Sequence, residues 1–352
     1  MALSEFELRS CLQEVKSPGS RLNIWDSHQV KKWEVKEKSY FFQLGLSEVT
    51  PVVEKSLRFQ IESAIKKADP DAEIAVEFQS TSSVSASRPQ VGTMIAIASG
   101  KGGVGKSSMT VNLASAFQHL GYKVGILDCD IYGPSVPTLL GLEGQKPMMM
   151  DGKIQPLEAH GFKVMSTGFF VEGGQSLIWR GPMIHKLIQQ FVHDVNWSGL
   201  DILLVDLPPG TGDAPLSLSQ TMPLTGAVMV SIPPKLSIID VHKGISMFNQ
   251  VKVPVLGVIE NMSHYVCSQC HHEDAIFDRG SVKKFCADLG VAYLGDVPLD
   301  PRLRELSDSG RPFFAEQADS PAGQSILKIA ERLSPFVKSL EDAEAATVRI
   351  IG

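Results

Sequence analysis

The sequence contains no apolar run approaching the ~18 residues that a membrane-spanning helix needs, and its opening, MALSEFELRS, carries Glu5 and Glu7 in place of a leader's apolar core. No membrane is expected as a partner, and the cytoplasm is the expected compartment. Positive charge is also in short supply. Lys and Arg number 33 against 39 Asp and Glu, a formal net charge of −6, which offers no electrostatic footprint for nucleic acid. Cysteine is scarce and odd in number: five residues, two of them in one C-x-x-C, suit a reducing compartment and a metal or redox site better than a disulfide framework. Partners should therefore be nucleotides or proteins. At 352 residues the chain passes the ~250–300 at which a single core stops growing, so two domains are expected.

What is present centres on Ile95–Ser108, IAIASGKGGVGKSS. A short apolar strand meets a glycine-rich loop that opens a helix, 106–120, with Leu113, Phe117 and Leu120 on its apolar face. Gly100, Gly102, Gly103 and Gly105 let successive backbone N–H groups turn inward as a cradle for phosphate, and the N-terminal partial charge of the helix adds to the attraction. Gly100-x-x-x-x-Gly105-Lys106-Ser107 satisfies the P-loop pattern for ATP, with Val104 and Ser108 completing the loop. Lys106 would reach the β- and γ-phosphates and Ser107 would ligate Mg²⁺.

From residue 93 onward, apolar strands (93–98, 123–128, 200–206, 226–232, 255–260, 292–297) alternate with helical segments. This predicts an α/β P-loop NTPase fold, a mostly parallel sheet with helices on both faces, binding its ligand at the carboxyl ends of the strands. Acids fall at those ends. Asp206 closes the hydrophobic run Leu203-Leu204-Val205 and takes the Mg²⁺-binding role, ahead of a Pro208-Pro209-Gly210 turn suited to sensing a γ-phosphate. Asp130, in Asp128-Cys129-Asp130, is the candidate to orient the attacking water, while Asp213 reads equally as a helix cap.

The extra lysine in GKGGVGKS, Lys101, resembles the deviant Walker A signature of the MinD-like ATPases. With DCDIYGPS (128–135), WRGPM (179–183), DLPPGTGD (206–213) and ENMS (260–263), residues 93 to about 315 resemble the Mrp-type branch of that family, the iron–sulfur cluster carriers. The resemblance implies a homodimer with ATP at its interface and Lys101 acting on the nucleotide of the other subunit. It also implies that Asn261 and the backbone near Pro298 contact adenine. Catalysis would then rest on Lys101, Lys106, Asp130 and Asp206.

Residues 1–79 read as a small α/β domain: helical spacing at Leu8, Leu12 and Val15, alternation over Tyr40, Phe42, Leu44 and Leu46, helical spacing from Leu57 to Ala68, and a closing strand at Ile74, Val76 and Phe78. The order resembles an iron–sulfur assembly domain fused ahead of certain P-loop ATPases. That family's cysteine after Thr-Pro is replaced here by Val52-Val53, so the resemblance brings no cluster chemistry into this domain. Residues 80–92 are Ser-rich without apolar period and read as a flexible linker, leaving 93–352 as the ATPase domain.

Cys267 and Cys270 lie in the polar stretch SHYVCSQCHHED. One C-x-x-C supplies two thiolates where tetrahedral zinc or a [4Fe–4S] cluster takes four ligands. Zinc recruiting His271, His272 or Cys286 is one solution; the family resemblance implies another, a [4Fe–4S] cluster shared by Cys267 and Cys270 of two chains on a two-fold axis. The expected function is an ATP-hydrolysing carrier that passes the cluster to apo-proteins and works with cluster scaffold proteins. The alternatives are a zinc-stapled, nucleotide-regulated scaffold and a partition-type positioning ATPase. His185, His242 and His264 are expected to be structural or surface residues, and Met148–Met150 an apolar loop.

Overall fold

The computed structural model describes residues 5–13, 15–16, 23–27, 29–36, 38–46, 51–80, 91–170, 181–267 and 269–337. They fall into two compact units, Met1–Ser87 and Arg88–Gly352.

The first unit runs α1 (Glu5–Leu12), β1 (Val30–Lys36), β2 (Ser39–Leu46), α2 (Pro51–Lys66) and β3 (Glu73–Ser80), with β1 antiparallel and β3 parallel to β2. Alternation along β2 buries Tyr40, Phe42 and Leu44, which form one core with Leu8 and Leu12 of α1 and Leu57, Ile61 and Ile65 of α2. The pattern of β1, VKKWEVK, conceals a strand because only Val30, Trp33 and Val35 pack against this core, and then partly. Its strand character comes from pairing with β2 rather than from its own apolar face.

In the second unit the order is β4 (Val91–Ser99), α3 (Lys106–His119), β5 (Val124–Asp128), α4 (Val136–Leu139), β6 (Met148–Met150), β7 (Lys153–Gln155), β8 (Leu157–Ala159), β9 (Phe162–Ser166), α5 (Gly181–His193) and β10 (Leu200–Asp206). It continues through α6 (Asp213–Thr221), β11 (Gly226–Ser231), α7 (Lys235–Gln250), β12 (Val255–Val266), β13 (Glu273–Asp274), α8 (Ser281–Leu289), β14 (Tyr293–Leu299), α9 (Pro301–Asp308), α10 (Phe313–Gln317) and α11 (Pro321–Leu333). Among the described residues one sheet has the order β13-β12-β11-β4-β10-β5-β9-β8, with β14 beside β12. Pairing is parallel except at the rims, β12 with β13 and β8 with β9. The sheet is therefore mixed but mostly parallel, and β5 and β11 are buried along their whole length, as strands covered on both faces must be. β4 stands between β10 and β11, and the chain leaves it for β5 on one side and reaches β11 on the other. That reversal of strand order opens a crevice at the carboxyl ends.

Several elements differ from the sequence pattern. Met148–Met150 is a strand paired with β7, its methionines exposed, where a loop is expected. β12 runs six residues beyond Glu260, because β14 and then β13 pair with it along a stretch whose side chains, NMSHYV, show no clean alternation. α11 stops at Leu333 and gives way to a tighter turn at Ser334–Phe336, since Pro335 cannot donate into a helix. Strand structure reaches Ser80 on one side of the Ser-rich stretch and begins at Val91 on the other; residues 81–90 lie outside the described residues, as do Trp179, Arg180 and the acidic run from Glu341. Among the described residues no helix is long and apolar enough to cross a membrane.

Candidate nucleotide and cysteine sites

The loop after β4 meets α3 through Gly105, whose left-handed φ of 83° favours glycine. A Cβ there would collide with the Asn261 side-chain amide, and one on Gly100 would collide with the backbone of Asp240. Close approach thus requires glycine at both positions, and at Gly105 the backbone conformation favours it as well. Ser99 Oγ donates to the Lys101 carbonyl at 2.9 Å, and Gly210 N–H donates to the Ser99 carbonyl at 2.9 Å, which ties the turn after β10 to the end of β4 where the loop begins.

At the head of α3, Lys106 is 6% exposed and its Nζ lies 2.8 Å from Asp206 Oδ1 and 3.9 Å from Asp130 Oδ2. Ser107 Oγ donates to Asp206 Oδ2 at 2.6 Å, and Thr110 Oγ1 donates to Asp206 Oδ1 at 2.9 Å. One fully buried carboxylate therefore holds the lysine and the hydroxyl that the P-loop pattern assigns to phosphate and Mg²⁺. Such a charge is tolerated in the interior only because it is paired and hydrogen-bonded. Beside it is a cavity of about 290 Å³ whose lining includes Lys101, Gly103, Lys106, Ser107, Asp130 and Pro209.

Asp130 departs from an ordinary exposed carboxylate: burial raises its pKa, Lys106 opposes the rise, and Asp206 adds to it. A raised pKa makes it a better proton acceptor than its residue type alone suggests. Next to it is a residue absent from the sequence-level site, Asp128. It is fully buried; its Oδ1 accepts the Asp130 N–H at 3.0 Å, and its Oδ2 accepts Ser166 Oγ at 2.9 Å and the Val136 N–H at 3.2 Å. These bonds fix the chain on both sides of Asp130. The signal available in the sequence was Asp128 ending a buried strand in the same way as Asp206, its register neighbour once β5 and β10 are paired.

Asn261 is buried and its Nδ2 donates to the Val104 carbonyl at 2.9 Å, bracing the phosphate loop across the sheet. It stands opposite Val297, the residue before Pro298. Pro298 itself lines a larger cavity of about 560 Å³ together with Tyr265, Cys267, His271, Arg302 and Pro321. The two residues assigned to the base are thus neighbours in the sheet but face different spaces.

The cysteines form the turn between β12 and β13. Cys267 N–H donates to the His272 carbonyl at 3.0 Å and His271 N–H to the Cys267 carbonyl at 2.9 Å. Cys267 is half-buried and Cys270 exposed. Backbone N–H groups of Cys270 and Gln269 directed at the Cys267 sulfur hold its thiol below the ordinary range, which favours the thiolate that binds metal. The neighbouring candidates divide: Cys286 is buried in α8, with its thiol pushed up to about 11 by burial and by Glu260, and among the described residues no cluster of three or more His, Cys, Asp or Glu is placed to hold a metal ion. His264, expected to be a structural or surface residue, is buried against Ser263, 2.8 Å from its hydroxyl, and lies 3.5 Å from Asp296.

A glycine-rich phosphate loop between a central parallel strand and its helix, a strand-end aspartate holding the loop's Lys and Ser, and a second lysine on the same cavity define a P-loop NTPase of the MinD and ParA type. The family described as ParA, NUBPL iron-transfer P-loop NTPase, matches residues 90–334, and the chain belongs to this family. It is 46% identical over 253 residues to the iron-sulfur cluster carrier protein of Aquifex aeolicus, covering 71% of this chain and 70% of that one. It is 42% identical over 250 residues to an Arabidopsis thaliana mitochondrial iron-sulfur protein required for NADH dehydrogenase, covering 71% of this chain and 80% of the relative. The match to the Escherichia coli K12 iron-sulfur cluster carrier protein, at 46%, covers 69% of this chain and 66% of that relative. Among solved structures, a nucleotide-binding protein of Archaeoglobus fulgidus in complex with ADP superposes with a TM-score of 0.57 at 41% identity, over 63% of this chain and 88% of that one. Pyrococcus furiosus MinD superposes with a TM-score of 0.53 over 70% of this chain and all of that one; at 20% identity this speaks to the fold alone.

Proposed function

We propose that the chain is an ATP-hydrolysing iron–sulfur cluster carrier that works as a homodimer, holds a [4Fe–4S] cluster between Cys267 and Cys270 of two copies, and passes it to apo-proteins. The observation that carries this reading is the course of β12: one strand presents Asn261 to the phosphate loop and, six residues later, the cysteine turn. A nucleotide site and a soft-metal site thus share a rigid element. The relatives named as cluster carriers supply the cargo's identity.

Each chain offers two thiols on one turn, and among the described residues no cluster around them completes a set of four. A second copy related by a two-fold axis fills the remaining corners, whereas among the described residues no third ligand for a zinc staple stands beside the pair. In the nucleotide site Lys106 carries the charge for the transferring phosphoryl group, Asp130 orients the attacking water, and Lys101 reaches the nucleotide of the second copy. Mg²⁺ fits the hydroxyl and carboxylate donors of Ser107 and Asp206, where it would supply charge to the phosphates. Residues 1–79 form a separate domain, consistent with a role in choosing scaffold or recipient.

Anaerobic reconstitution of the full chain tests the reading. Iron and acid-labile sulfide near two of each per chain, on a dimer, are expected from one shared cluster. Stoichiometric zinc without sulfide, or four irons on a monomer, would overturn it.

A further inference from the structure

The turn that carries the cysteines has a weak foundation of its own. β12 and β13 share two register pairs, Tyr265 with Asp274 and Val266 with Glu273, and both β13 residues are exposed. A two-stranded hairpin is marginal in water even at greater length. A restraint from outside the hairpin therefore bears on the turn that the Cys267 N–H to His272 carbonyl and His271 N–H to Cys267 carbonyl bonds close around the two cysteines.

Arg279 supplies one. Its Nη1 donates to Glu273 Oε2 at 2.6 Å, its Nε donates to Asp296 Oδ2 at 3.0 Å, and its Nη2 lies 2.9 Å from that same Asp296 oxygen. Glu273 belongs to the short rim strand and Asp296 to β14, so a single guanidinium fastens the rim to the body of the sheet. Beneath it the Ser263 hydroxyl lies 3.2 Å from Asp296 Oδ2, and the buried His264 ring lies 3.9 Å from Glu273. The arginine is itself fixed in direction. It sits between Asp278 and Gly280, both at positive φ, and Gly280 caps α8 while its N–H donates to the buried Glu260 at 3.3 Å. The planar fork, with donors on two edges, reaches two carboxylates at once, which a lysine ammonium on a flexible stem does not reproduce.

We propose that Arg279 is a positioning residue for the metal-binding thiols, a brace that clamps Glu273 to Asp296 and thereby presents Cys267 and Cys270 as a preformed pair. The clamp is independent of what binds; its use for cluster cargo rests on the function proposed above.

The test uses the full chain, first without cluster. Arg279→Met keeps the stem and removes the fork, and hydrogen exchange by mass spectrometry compares peptides covering 263–278 with peptides of β4 and α3. Exchange in the hairpin should rise about fivefold or more with β4 and α3 unchanged, and Arg279→Lys should recover part of the protection. After anaerobic reconstitution, the Met variant should lose iron to a chelator about fivefold faster than the parent. Glu273→Gln, on the exposed side of the clamp, should act in the same direction with smaller effect, so the test survives if the Arg279 variant folds poorly. Unchanged hairpin exchange in both variants overturns the brace, as does faster exchange with the parent's rate of iron loss. A parent protein that takes up no cluster, with the exchange effect present, supports the brace and overturns the cargo reading alone.

Discussion

The middle of β12 and its C-terminal end solve opposite problems. Near Asn261, at the head of α3, a buried network closes on itself: Asp206, Lys106, Ser107 and Thr110 pair among themselves within one chain. At Val266 the strand emerges into a turn with one half-buried and one exposed cysteine, and among the described residues no group of three or more His, Cys, Asp or Glu is placed there to hold a metal ion. A buried charged network is costly to leave half-made, so it must be completed locally by the fold. A thiol pair at the rim carries no such penalty and can wait for a second chain. The contrast teaches that the fold of one chain completes the Asp206 network, whereas the cysteine turn presents its two thiols at an open rim.

The largest effect should come from breaking the closed site. Lys106→Ala removes the positive charge facing the phosphates and leaves Asp206 unneutralised in the interior; ATP turnover should fall by about 10²–10³-fold or more, with thermal stability lowered as well. A variant with the parent's steady-state turnover would break the assignment. Lys101→Ala sharpens the same comparison, because Lys101 lines the cavity but has no place in the Asp206 network. Turnover should drop about a hundredfold while nucleotide affinity, measured by calorimetry, stays within about threefold. Mixing it with Lys106→Ala should restore some activity if the lysine acts across the dimer, and none if it acts only within its own chain.

At the open end, Cys267→Ser or Cys270→Ser should abolish cluster binding and weaken the dimer, yet change the monomer's stability by less than about 1 kcal/mol, because neither side chain supports the core. Cys129→Ser and Cys286→Ser invert that pattern. Both residues are buried, so substitution should lower the melting temperature and leave iron content intact. Iron loss in either of these would show that the ligand set extends beyond the turn.

Legibility in the sequence follows the same division. Gly100–Ser108 and Asp206 were readable because phosphate binding demands fixed spacing within a few residues and a strand end, both local properties. Asp128 was not, because its role depends on Ser166 and Val136, which only the pairing of β5 with β9 and the placement of α4 bring to it. The same holds for the bond from Asn261 to Val104, which spans 157 positions, and for Arg279, whose partners lie on two different strands. β1 and β6 escaped notice for a related reason: exposed or charged strands owe their conformation to a neighbour's hydrogen bonds, and composition carries no record of the neighbour.

The smallest expected effect is a pH dependence confined to the closed site. Asp128 is fully buried and its pKa is pushed up to about 8, by burial first and by the adjacent Asp206 carboxylate second. Since the folded chain holds this proton more tightly than the unfolded chain, whose carboxyl titrates near 3.8, the folded state binds more protons between those two values. The associated stability is fully present below the unfolded pKa and is lost as pH rises toward about 8, with a ceiling of about 1.4 kcal/mol per pH unit for one proton. Nucleotide-free protein should therefore melt at progressively lower temperature from pH 6 to pH 8, and Asp128→Asn should flatten that slope. The asparagine should also lower stability at pH 6 by about 1 kcal/mol, because its amide nitrogen cannot accept the Val136 N–H that Oδ2 now accepts. The slope, not the absolute stability, is the discriminating quantity: if melting of the asparagine variant keeps the parent's pH dependence, the titrating proton resides elsewhere in the Asp206 network. The cysteine variants, altered only at the rim, should keep the parent's slope.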